Sequence, residues 1–308
     1  MKKIPLIVVA GPTASGKTGL AIEIAKTING EIVSADSMQI YKYMNIGTAK
    51  ATIEEQSQCP HHLLDIIEPD CEFSVADYTK LAHAVIADIT SRGKIPVMCG
   101  GTGLYIDSVV NDVEFGELDT DYRLRDELQE LAENEGAERL IEILREFDPV
   151  SAKRLHPNNL KRVIRAIEFY KTSGIPISEH QEMTKQKESR YDAIMFMINH
   201  DREVLYDRIN HRVDIMLDDG LIDEVKSLIK KGYTPDLNSM QGIGYKEMIS
   251  HFNGDITFSE AVEAIKQNSR RYAKRQLTWF RRNEKINLLS PENATQEALK
   301  LIKNKFNG

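Results

Sequence analysis

The chain has 308 residues with a formal net charge of −7, and 41% of its residues are hydrophobic. This composition is typical of a globular protein and excludes disordered, collagen-like and disulfide-stapled chains. No apolar run approaches the roughly 18 residues that a membrane helix needs, and the three cysteines are widely spaced, so we expect a cytoplasmic protein with reduced thiols and no membrane partner.

Short strands and helices alternate over the first 110 residues. Ile4–Ala10 is a continuous β-branched run, typical of a strand that is buried on both faces. Further strands are predicted over 31–34 and 95–99, and helices over 17–28, over 75–92 behind a capping box at Ser74, and from Leu104. This alternation predicts a parallel sheet with right-handed crossovers.

The pattern changes near residue 112, where a long acidic stretch begins. Asp112–Glu146 contains 13 acidic and 4 basic residues, a local net charge of −9, and no strand pattern occurs between about 116 and 187. We therefore predict a helical insertion domain over 116–189 inside a core domain formed by 1–115 and 190–308. The predicted elements after it are strands over 191–198 and 286–289, and helices over 201–217, 221–231, 258–282 and at the C-terminal end.

The turn after the first predicted strand contains the strongest motif. It matches G-x-x-x-x-G-K-[ST] at every fixed position and lies between a strand and a helix. Its glycines let backbone N–H groups converge on an anion, and the helix adds the positive end of its dipole. Lys17 supplies a mobile charge, and the Thr18 hydroxyl can bind Mg²⁺, the cofactor we expect. The predicted diphosphate-binding residues of this loop are Gly11, Pro12, Thr13, Ala14, Ser15, Gly16, Lys17 and Thr18.

This motif and the strand–helix alternation together predict an α/β fold, a P-loop NTPase-like parallel sheet flanked by helices with an inserted all-helical subdomain. NTPases of this class normally place a metal-binding Asp at the end of a hydrophobic strand. Here Asp36 is the one acid at a predicted strand terminus, and Thr102 follows another strand. Because strand C-termini face the ligand crevice, both should lie near the phosphates. From the residues alone, a place beside the phosphates and a role as a helix cap or turn residue are equally good interpretations of Asp36. For Thr102, the residues favour a turn role.

Several blocks, taken in order, resemble those of the bacterial tRNA dimethylallyltransferases, or tRNA isopentenyltransferases. The blocks are Gly11–Thr18, Ser34–Tyr41, Pro60–Asp65, Gly100–Tyr105, His156–Asn159, Arg162–Ala166, Gln241–Tyr245 and Lys274–Phe280. Each block is weak evidence alone, but their order along nearly the whole chain makes the resemblance very specific.

The resemblance implies an enzyme that moves the dimethylallyl group of dimethylallyl diphosphate to N6 of adenosine 37, just 3′ of the tRNA anticodon, and releases diphosphate. A phosphate loop is in general a nucleotide- and ATP-binding motif. The resemblance implies that here the loop binds this diphosphate, together with Mg²⁺, in place of ATP. The expected partners are the tRNA anticodon stem-loop and dimethylallyl diphosphate, and no obligate protein partner is evident.

This chemistry implies catalytic roles for three residues. Negative charge develops on the diphosphate as its C1–O bond breaks, and Lys17 with a Thr18-bound Mg²⁺ can stabilise that charge. An aromatic amine is a poor nucleophile, so we assign Asp36 as the general base that accepts its proton. Thr102 would hydrogen-bond near the bridging oxygen.

Two arginines of one predicted helix are candidates for binding the diphosphate. Arg208 and Arg212 are spaced i and i+4 and therefore share a face. The alternative is a solvated face on which they pair with Asp207, Asp214 and Asp218.

Basic residues are concentrated in two segments, despite the negative total. Lys266–Lys285 contains eight basic residues and one acid, and a second cluster lies in the insertion. Such stripes bind backbone phosphate with little sequence information. The target base must leave its stack, so residues next to Asp36 should also contact RNA. The predicted tRNA-binding residues are Asp36, Ser37, Met38, Gln39, Thr102, Lys161, Arg162, Arg165, Gln241, Gly242, Ile243, Gly244, Tyr245, Lys274, Arg275 and Gln276.

Other interpretations remain open from the residues. A small-molecule kinase would use the same loop and would be strongly stabilised by ATP, whereas a non-enzymatic RNA-binding regulator would bind tRNA without modifying it. Cys59, His61 and His62 cannot complete a four-ligand zinc site alone, so we expect them to pack or hydrogen-bond. Trp279 is expected in the core rather than on RNA.

Overall fold

Six parallel strands form one sheet in the computed structural model, which describes residues 3–113, 115, 122–186 and 188–306. The strands are β1 (Ile4–Ala10), β2 (Gly30–Ser34), β3 (His61–His62), β4 (Ile95–Gly100), β5 (Tyr191–Ile198) and β6 (Ile286–Leu289). Their order is β3-β2-β4-β1-β5-β6, and every pairing is parallel. The predicted α/β fold with a parallel sheet is confirmed.

The described residues also contain fourteen helices, none of them long and apolar enough to cross a membrane. They are α1 (Lys17–Thr27), α2 (Ile53–Gln58), α3 (Val75–Ser91), α4 (Gly103–Val110), α5 (Tyr122–Glu135), α6 (Ala137–Phe147), α7 (Pro149–Arg154), α8 (Leu160–Ser173), α9 (Ile177–Gln186), α10 (Arg202–Asp218), α11 (Leu221–Lys230), α12 (Tyr245–Phe252), α13 (Phe258–Phe280) and α14 (Ala294–Phe306).

The chain divides into two compact units, the first made of Met1–Val110 with Arg190–Gly308 and the second of Asn111–Ser189. The second unit contains α5 to α9 and begins at residue 111, whereas the sequence prediction began at 116. Its own apolar core contains Leu140, Leu144 and Val163. The acidic residues between 122 and 146 therefore lie on helices that bury a separate core of their own.

Strand β1 is buried on both faces, which explains its uninterrupted apolar sequence. Leu6 and Val8 pack in a layer with residues of α3 and α4, whereas Ile7 and Val9 pack in a second layer with residues of α1 and α14. All four side chains are at most 1% exposed. A strand covered by helices on both faces has no polar side to alternate with an apolar one.

The strand register brings three loops together at the C-terminal edge of the sheet. Ala10 of β1 aligns with Gly100 of β4, and Ser34 of β2 aligns with Cys99. The loops after these strands therefore leave the sheet side by side. Glycine is needed at position 100, since a Cβ there would lie 2.1 Å from the carbonyl oxygen of Ala35.

Strand β2 carries a buried carboxylate at the opposite end. Glu31 is 2% exposed and accepts hydrogen bonds of 2.6–2.7 Å from Arg92, Lys94 and His62. His61 Nδ1 lies 2.9 Å from the Cys59 carbonyl oxygen. Both histidines are therefore hydrogen-bonded, and the described residues contain no group of three or more His, Cys, Asp or Glu side chains that could hold a metal.

Replacing Glu31 with Gln should destabilise the fold at neutral pH. Hydrogen bonds from Arg92 above all, and from Lys94 and His62, hold the pKa of Glu31 far below its ordinary value of 4.5. A carboxyl group whose pKa is lowered by folding stabilises the protein above its unfolded pKa, and that stabilisation is lost as the pH falls through the folded pKa. We expect Glu31→Gln to lower the free energy of unfolding at pH 7 by roughly 1.5–3 kcal/mol in urea titrations.

The exposed Glu23 provides the matched control, since Glu23→Gln removes a carboxylate from α1 without opening a buried cluster. The difference between Glu31→Gln and the parent should shrink as the pH is lowered below 4.5. Equal stability of the parent and Glu31→Gln at pH 7 would contradict the assigned role.

Candidate active site

The phosphate loop curls between the end of β1 and the start of α1. Gly11 and Gly16 have φ values of +148° and +87°, and Gly16 is the N-terminal cap of α1. These conformations favour glycine and explain the two fixed glycine positions of the motif. Outside the loop, Arg208 Nε donates to the Ala14 carbonyl oxygen at 2.9 Å. This bond to α10 holds the loop backbone from one side.

Two polar groups of the loop have weak partners or none. Lys17 Nζ donates to the Pro12 carbonyl oxygen at 3.2 Å, and the buried hydroxyl of Ser15 has no hydrogen-bond partner among the described residues. Burial lowers the pKa of Lys17, the Arg212 charge lowers it further, and the Asp36 charge opposes the shift. An anion in the loop would give a charge-assisted partner to groups that lack one here.

Asp36 has one occupied and one open carboxylate oxygen. Its Oδ1 accepts hydrogen bonds from the backbone N–H of Met38 at 2.9 Å and of Gln39 at 3.3 Å. Its Oδ2 has no hydrogen-bond partner in the described part of the chain, and the side chain is half-buried. The turn role and an available acceptor are thus both present in one side chain, so the two sequence interpretations do not exclude each other.

Asp36 lies beside the phosphate loop. Burial lowers the pKa of both Lys17 and Arg212, and in each case the charge of Asp36 opposes that shift. The strands that precede Asp36 and the phosphate loop both pair with β4, so the two loops leave the same edge of the sheet. The joint role of Asp36 and Lys17 stays a prediction.

Thr102 joins the loop after β4 to the loop after β2. Its Oγ1 accepts a hydrogen bond from the Ser37 N–H at 3.0 Å, and its own N–H donates to the Ala35 carbonyl oxygen at 3.1 Å. Burial raises the pKa of Tyr272 of α13 to about 12, and the nearby side chain of Thr102 opposes that shift. The turn role that the sequence favoured for Thr102 is observed. Its bond to Ser37 places it against the residue that follows Asp36.

Gln276 of α13 connects two loops of the site instead of facing solvent. It is 5% exposed, its Oε1 accepts from the Thr13 N–H at 3.0 Å, and its Nε2 donates to the Gly101 carbonyl oxygen at 2.9 Å. Both ends of its amide are used inside the protein, and the expected contact of Gln276 with tRNA stays a prediction. Gln276 therefore links the phosphate loop to the loop after β4 through these two hydrogen bonds.

The two arginines of α10 do not form a solvated ion-paired face. Arg208 binds the phosphate-loop backbone, as described above, and Arg212 Nη2 donates to the Ala49 carbonyl oxygen at 3.4 Å. Asp214 pairs instead with Lys266 of α13 at 2.5 Å. Both guanidinium groups are therefore held beside the loops of the site.

The segment before α12 is only partly accessible. Gly244 and Tyr245 are buried, and the Tyr245 hydroxyl donates to Glu224 Oε1 at 2.6 Å. The expected contact of these two residues with tRNA stays a prediction. The other residues of this segment and of the Asp36 turn that were expected to meet RNA are exposed or half-buried. These accessible residues are Ser37, Met38, Gln39, Gln241, Gly242 and Ile243.

Helix α13 presents an exposed basic face. Arg271, Lys274 and Arg275 are exposed, follow i, i+3, i+4 spacing, and pair with no acidic side chain among the described residues. Arg275 lies over the ring of Tyr272, 5.5 Å from its centroid. The basic face therefore begins next to Thr102. Trp279 is half-buried and packs against the core, and its indole N–H donates to an aspartate of α4 at 2.8 Å.

The second basic cluster lies on α8 of the helical unit. Lys161 and Arg162 are exposed, whereas Arg165 donates to the fully buried Glu168 at 2.6 Å. Arg125 binds the same carboxylate at 2.9 Å. Two of the three predicted tRNA-contacting residues of this helix thus have cationic groups with no acidic partner in the described part of the chain, and the third helps to neutralise a buried acid.

The parallel sheet and the glycine-rich turn between β1 and α1 define a protein of the phosphate-loop NTPase-like class. A family model described as IPP transferase matches residues 39–283. The chain is 50% identical to a tRNA dimethylallyltransferase of Lachnoclostridium phytofermentans, over 96% of this chain and 94% of the relative. It is 51% identical to a protein of the same name from Caldanaerobacter subterraneus, over 90% of this chain and 89% of the relative.

Solved structures give the same result. A tRNA isopentenylpyrophosphate transferase from Bacillus halodurans is similar with a TM-score of 0.73 and 42% identity, over 99% of this chain and 96% of that one. A eukaryotic dimethylallyltransferase acting on tRNA is similar with a TM-score of 0.86 and 29% identity, over 99% of this chain and 79% of that one.

The chain belongs to the IPP transferase family, and it is an enzyme of the prenyltransferase class. The resemblance identified from the sequence blocks is confirmed. The interpretations as a small-molecule kinase and as a non-enzymatic RNA-binding regulator are wrong.

Proposed function

We propose that this cytoplasmic enzyme transfers the dimethylallyl group of dimethylallyl diphosphate to N6 of adenosine 37 in the anticodon stem-loop of tRNA, with release of diphosphate. The observation on which this rests is the free oxygen of Asp36 beside the phosphate loop. Membership of a family whose relatives are named tRNA dimethylallyltransferase supports the choice of donor and acceptor.

The phosphate loop would hold the diphosphate leaving group. Lys17, the unpartnered hydroxyl of Ser15 and the first N–H groups of α1 are available to it, with Arg208 and Arg212 alongside. Negative charge develops on the diphosphate as the C1–O bond breaks. Donors and cations already in place stabilise that charge without reorganising during the reaction.

Mg²⁺ fits this site as a cofactor. It is usually held by one or two protein oxygens together with substrate phosphates, and the half-buried Thr18 in the first turn of α1 offers such an oxygen. A bound Mg²⁺ would neutralise part of the charge on the diphosphate. The scarcity of acidic residues at the site agrees with a metal held largely by substrate.

Asp36 would act as the general base. Its Oδ2 accepts a proton from the exocyclic amine as N6 bonds to C1, while the electron pair of the C1–O bond leaves with diphosphate. The bonds from Met38 and Gln39 to Oδ1 keep the carboxylate in one orientation. Because the nearby loops meet at Thr102, that residue would border the space where the base and the allylic carbon meet.

The exposed cations would bind the tRNA backbone. Arg271, Lys274 and Arg275 on α13 lead away from the site, and Lys161 with Arg162 would add contacts from the helical unit. Backbone contacts of this type set affinity and orientation, whereas the pocket selects the base.

Replacing Arg271, Lys274 and Arg275 together with Gln should weaken tRNA binding, and the loss should be largest at low salt. Removing one cation that binds a phosphate should reduce the slope of log K against log salt by about 1, and we expect the triple variant to raise Kd roughly 10–100-fold near physiological salt. Fluorescence anisotropy over a salt series measures both. The exposed Lys300 and Lys303 of α14, replaced together with Gln, form the control, and an equal loss in that variant would contradict a specific role for α13.

A direct assay tests the proposed function. The enzyme is incubated with Mg²⁺, labelled dimethylallyl diphosphate and unmodified tRNA, and the tRNA is then digested to nucleosides. We expect the label on one adenosine, at position 37, and stoichiometric release of diphosphate. Label on another nucleoside, or no transfer at any Mg²⁺ concentration, would refute the proposal.

A further inference from the structure

The carboxylate of Glu224 binds three consecutive backbone N–H groups of a loop far away in sequence. Glu224 lies in the first turn of α11, where its Oε2 accepts from Asn45 and Ile46, both at 2.8 Å, and its Oε1 from Gly47 at 3.0 Å. These donors belong to the segment between β2 and α2, residues 35–52, which also contains Asp36. Charge-assisted bonds of this kind are among the strongest contacts that a loop can have.

Tyr245 fixes the same contact from the other side. Its hydroxyl donates to Glu224 Oε1 at 2.6 Å, and its side chain is fully buried. A Cβ at Gly47 would lie 2.6 Å from the Tyr245 ring, so the loop backbone lies directly against the ring. Glu224 therefore has one geometry available, and the loop is held between α11 and α12.

Gln39 links this anchored stretch to Asp36. Its Nε2 donates to the carbonyl oxygens of Thr48 at 3.2 Å and Ala49 at 3.1 Å. Its backbone N–H is one of the two donors to Asp36 Oδ1. A shift of residues 45–49 would therefore move Gln39, and with it the turn that orients the carboxylate.

The backbone of this loop adopts conformations that its sequence does not favour. Tyr43 and Ala49 have φ values of +66° and +48°, in the left-handed region that side chains other than glycine rarely adopt. Such conformations persist where surrounding contacts over-determine them. Glu224 and Tyr245 provide those contacts between the two strained positions.

We propose that Glu224, supported by Tyr245, is a positioning residue that places Asp36 for proton transfer. It touches neither substrate nor the reacting atoms, and it acts through the backbone of residues 45–47 and the side chain of Gln39. This inference rests on the proposed function, because it takes Asp36 to be the base.

The test compares Glu224→Gln in the parent enzyme and in the Asp36→Asn variant. Single-turnover transfer with enzyme in excess gives a rate constant that is separate from the fraction of active enzyme. Gln replaces one acceptor oxygen with an NH₂ group facing backbone donors, so E224Q should lower this constant about 10-fold in the parent. In the D36N background it should lower it less than about two-fold, since no base remains to be misplaced.

Tyr245→Phe is the second variant, and it removes only the hydroxyl that orients Glu224. We expect a loss of about three-fold in the parent, with the same insensitivity in the D36N background. Asp223→Asn, on the exposed neighbour in α11, should leave the constant unchanged.

Equal losses from E224Q in both backgrounds would overturn the proposal, because a general structural role acts regardless of the base. Full activity of E224Q beside an impaired D36N would refute positioning and leave the proposed function intact. Full activity of D36N would instead remove Asp36 as the base, whatever E224Q does.

Discussion

Replacing Asp36 with Asn should lower the rate of prenyl transfer by roughly 10³-fold while tRNA binding is retained, a loss in the range of general base catalysis. Asn keeps the Oδ1 that accepts the Met38 and Gln39 N–H groups, so the turn remains intact. It loses the anionic Oδ2 that would accept the amine proton. Single-turnover transfer and a separate tRNA-binding titration measure the two quantities.

The control for this prediction is Asp201→Asn. Asp201 is an exposed acid at the N-terminal cap of α10, and its side chain makes no capping hydrogen bond. Its replacement changes the net charge equally and should leave the rate within about two-fold of the parent. A transfer rate in Asp36→Asn close to that of the parent would remove Asp36 from the mechanism.

The sequence predicts the parts of the site that depend on local pattern. The phosphate loop is a contiguous motif whose glycines meet backbone requirements within the same eight residues, and β1 is recognisable because both of its faces are buried. The elements that escaped prediction are α2, β3 and α12, with six, two and eight residues. Segments so short do not repeat a period often enough to be detected.

Burial of particular side chains could not be predicted, because it depends on contacts distant in sequence. Gln276 and Tyr245 stand in blocks that resemble the family, and polar side chains in such blocks suggest RNA contact. The structure instead uses Gln276 to bridge loops 263 and 175 residues away, and Tyr245 to orient Glu224. No periodicity signals these bridges.

Glu224 shows the same limit for a residue that sequence reasoning missed altogether. It stands in an ordinary acidic first turn of α11, and the backbone N–H groups that it binds lie 177 to 179 positions away. The one local hint was the glycine at 47, which proves necessary because the Tyr245 ring leaves no room for a Cβ. A glycine in a polar loop is too common to reveal such a contact from sequence.

Replacing Lys17 with Met should lower kcat for transfer by roughly 10²–10³-fold, the loss expected when a preorganised stabiliser of developing charge is removed. Lys17 lies where burial and the Arg212 charge both lower its pKa, which means that the site holds its ammonium at an energetic cost in the absence of an anion. A diphosphate that gains charge during the reaction offsets this cost most fully in the transition state. Met keeps an unbranched side chain, one heavy atom shorter than that of Lys, and removes the charge together with its N–H donors.

Lys26→Met is the matched control, because Lys26 lies in the last turn of the same helix and is exposed. Initial rates at saturating tRNA and varied dimethylallyl diphosphate separate kcat from KM. A loss confined to KM would mean that Lys17 binds substrate and transition state equally well, and a similar loss in Lys26→Met would assign the effect to the charge of α1 as a whole. A fall in kcat that excess Mg²⁺ does not restore would mean that added metal cannot replace the Lys17 ammonium inside the loop. Lys17 and Mg²⁺ would then stabilise the leaving group as two separate charges.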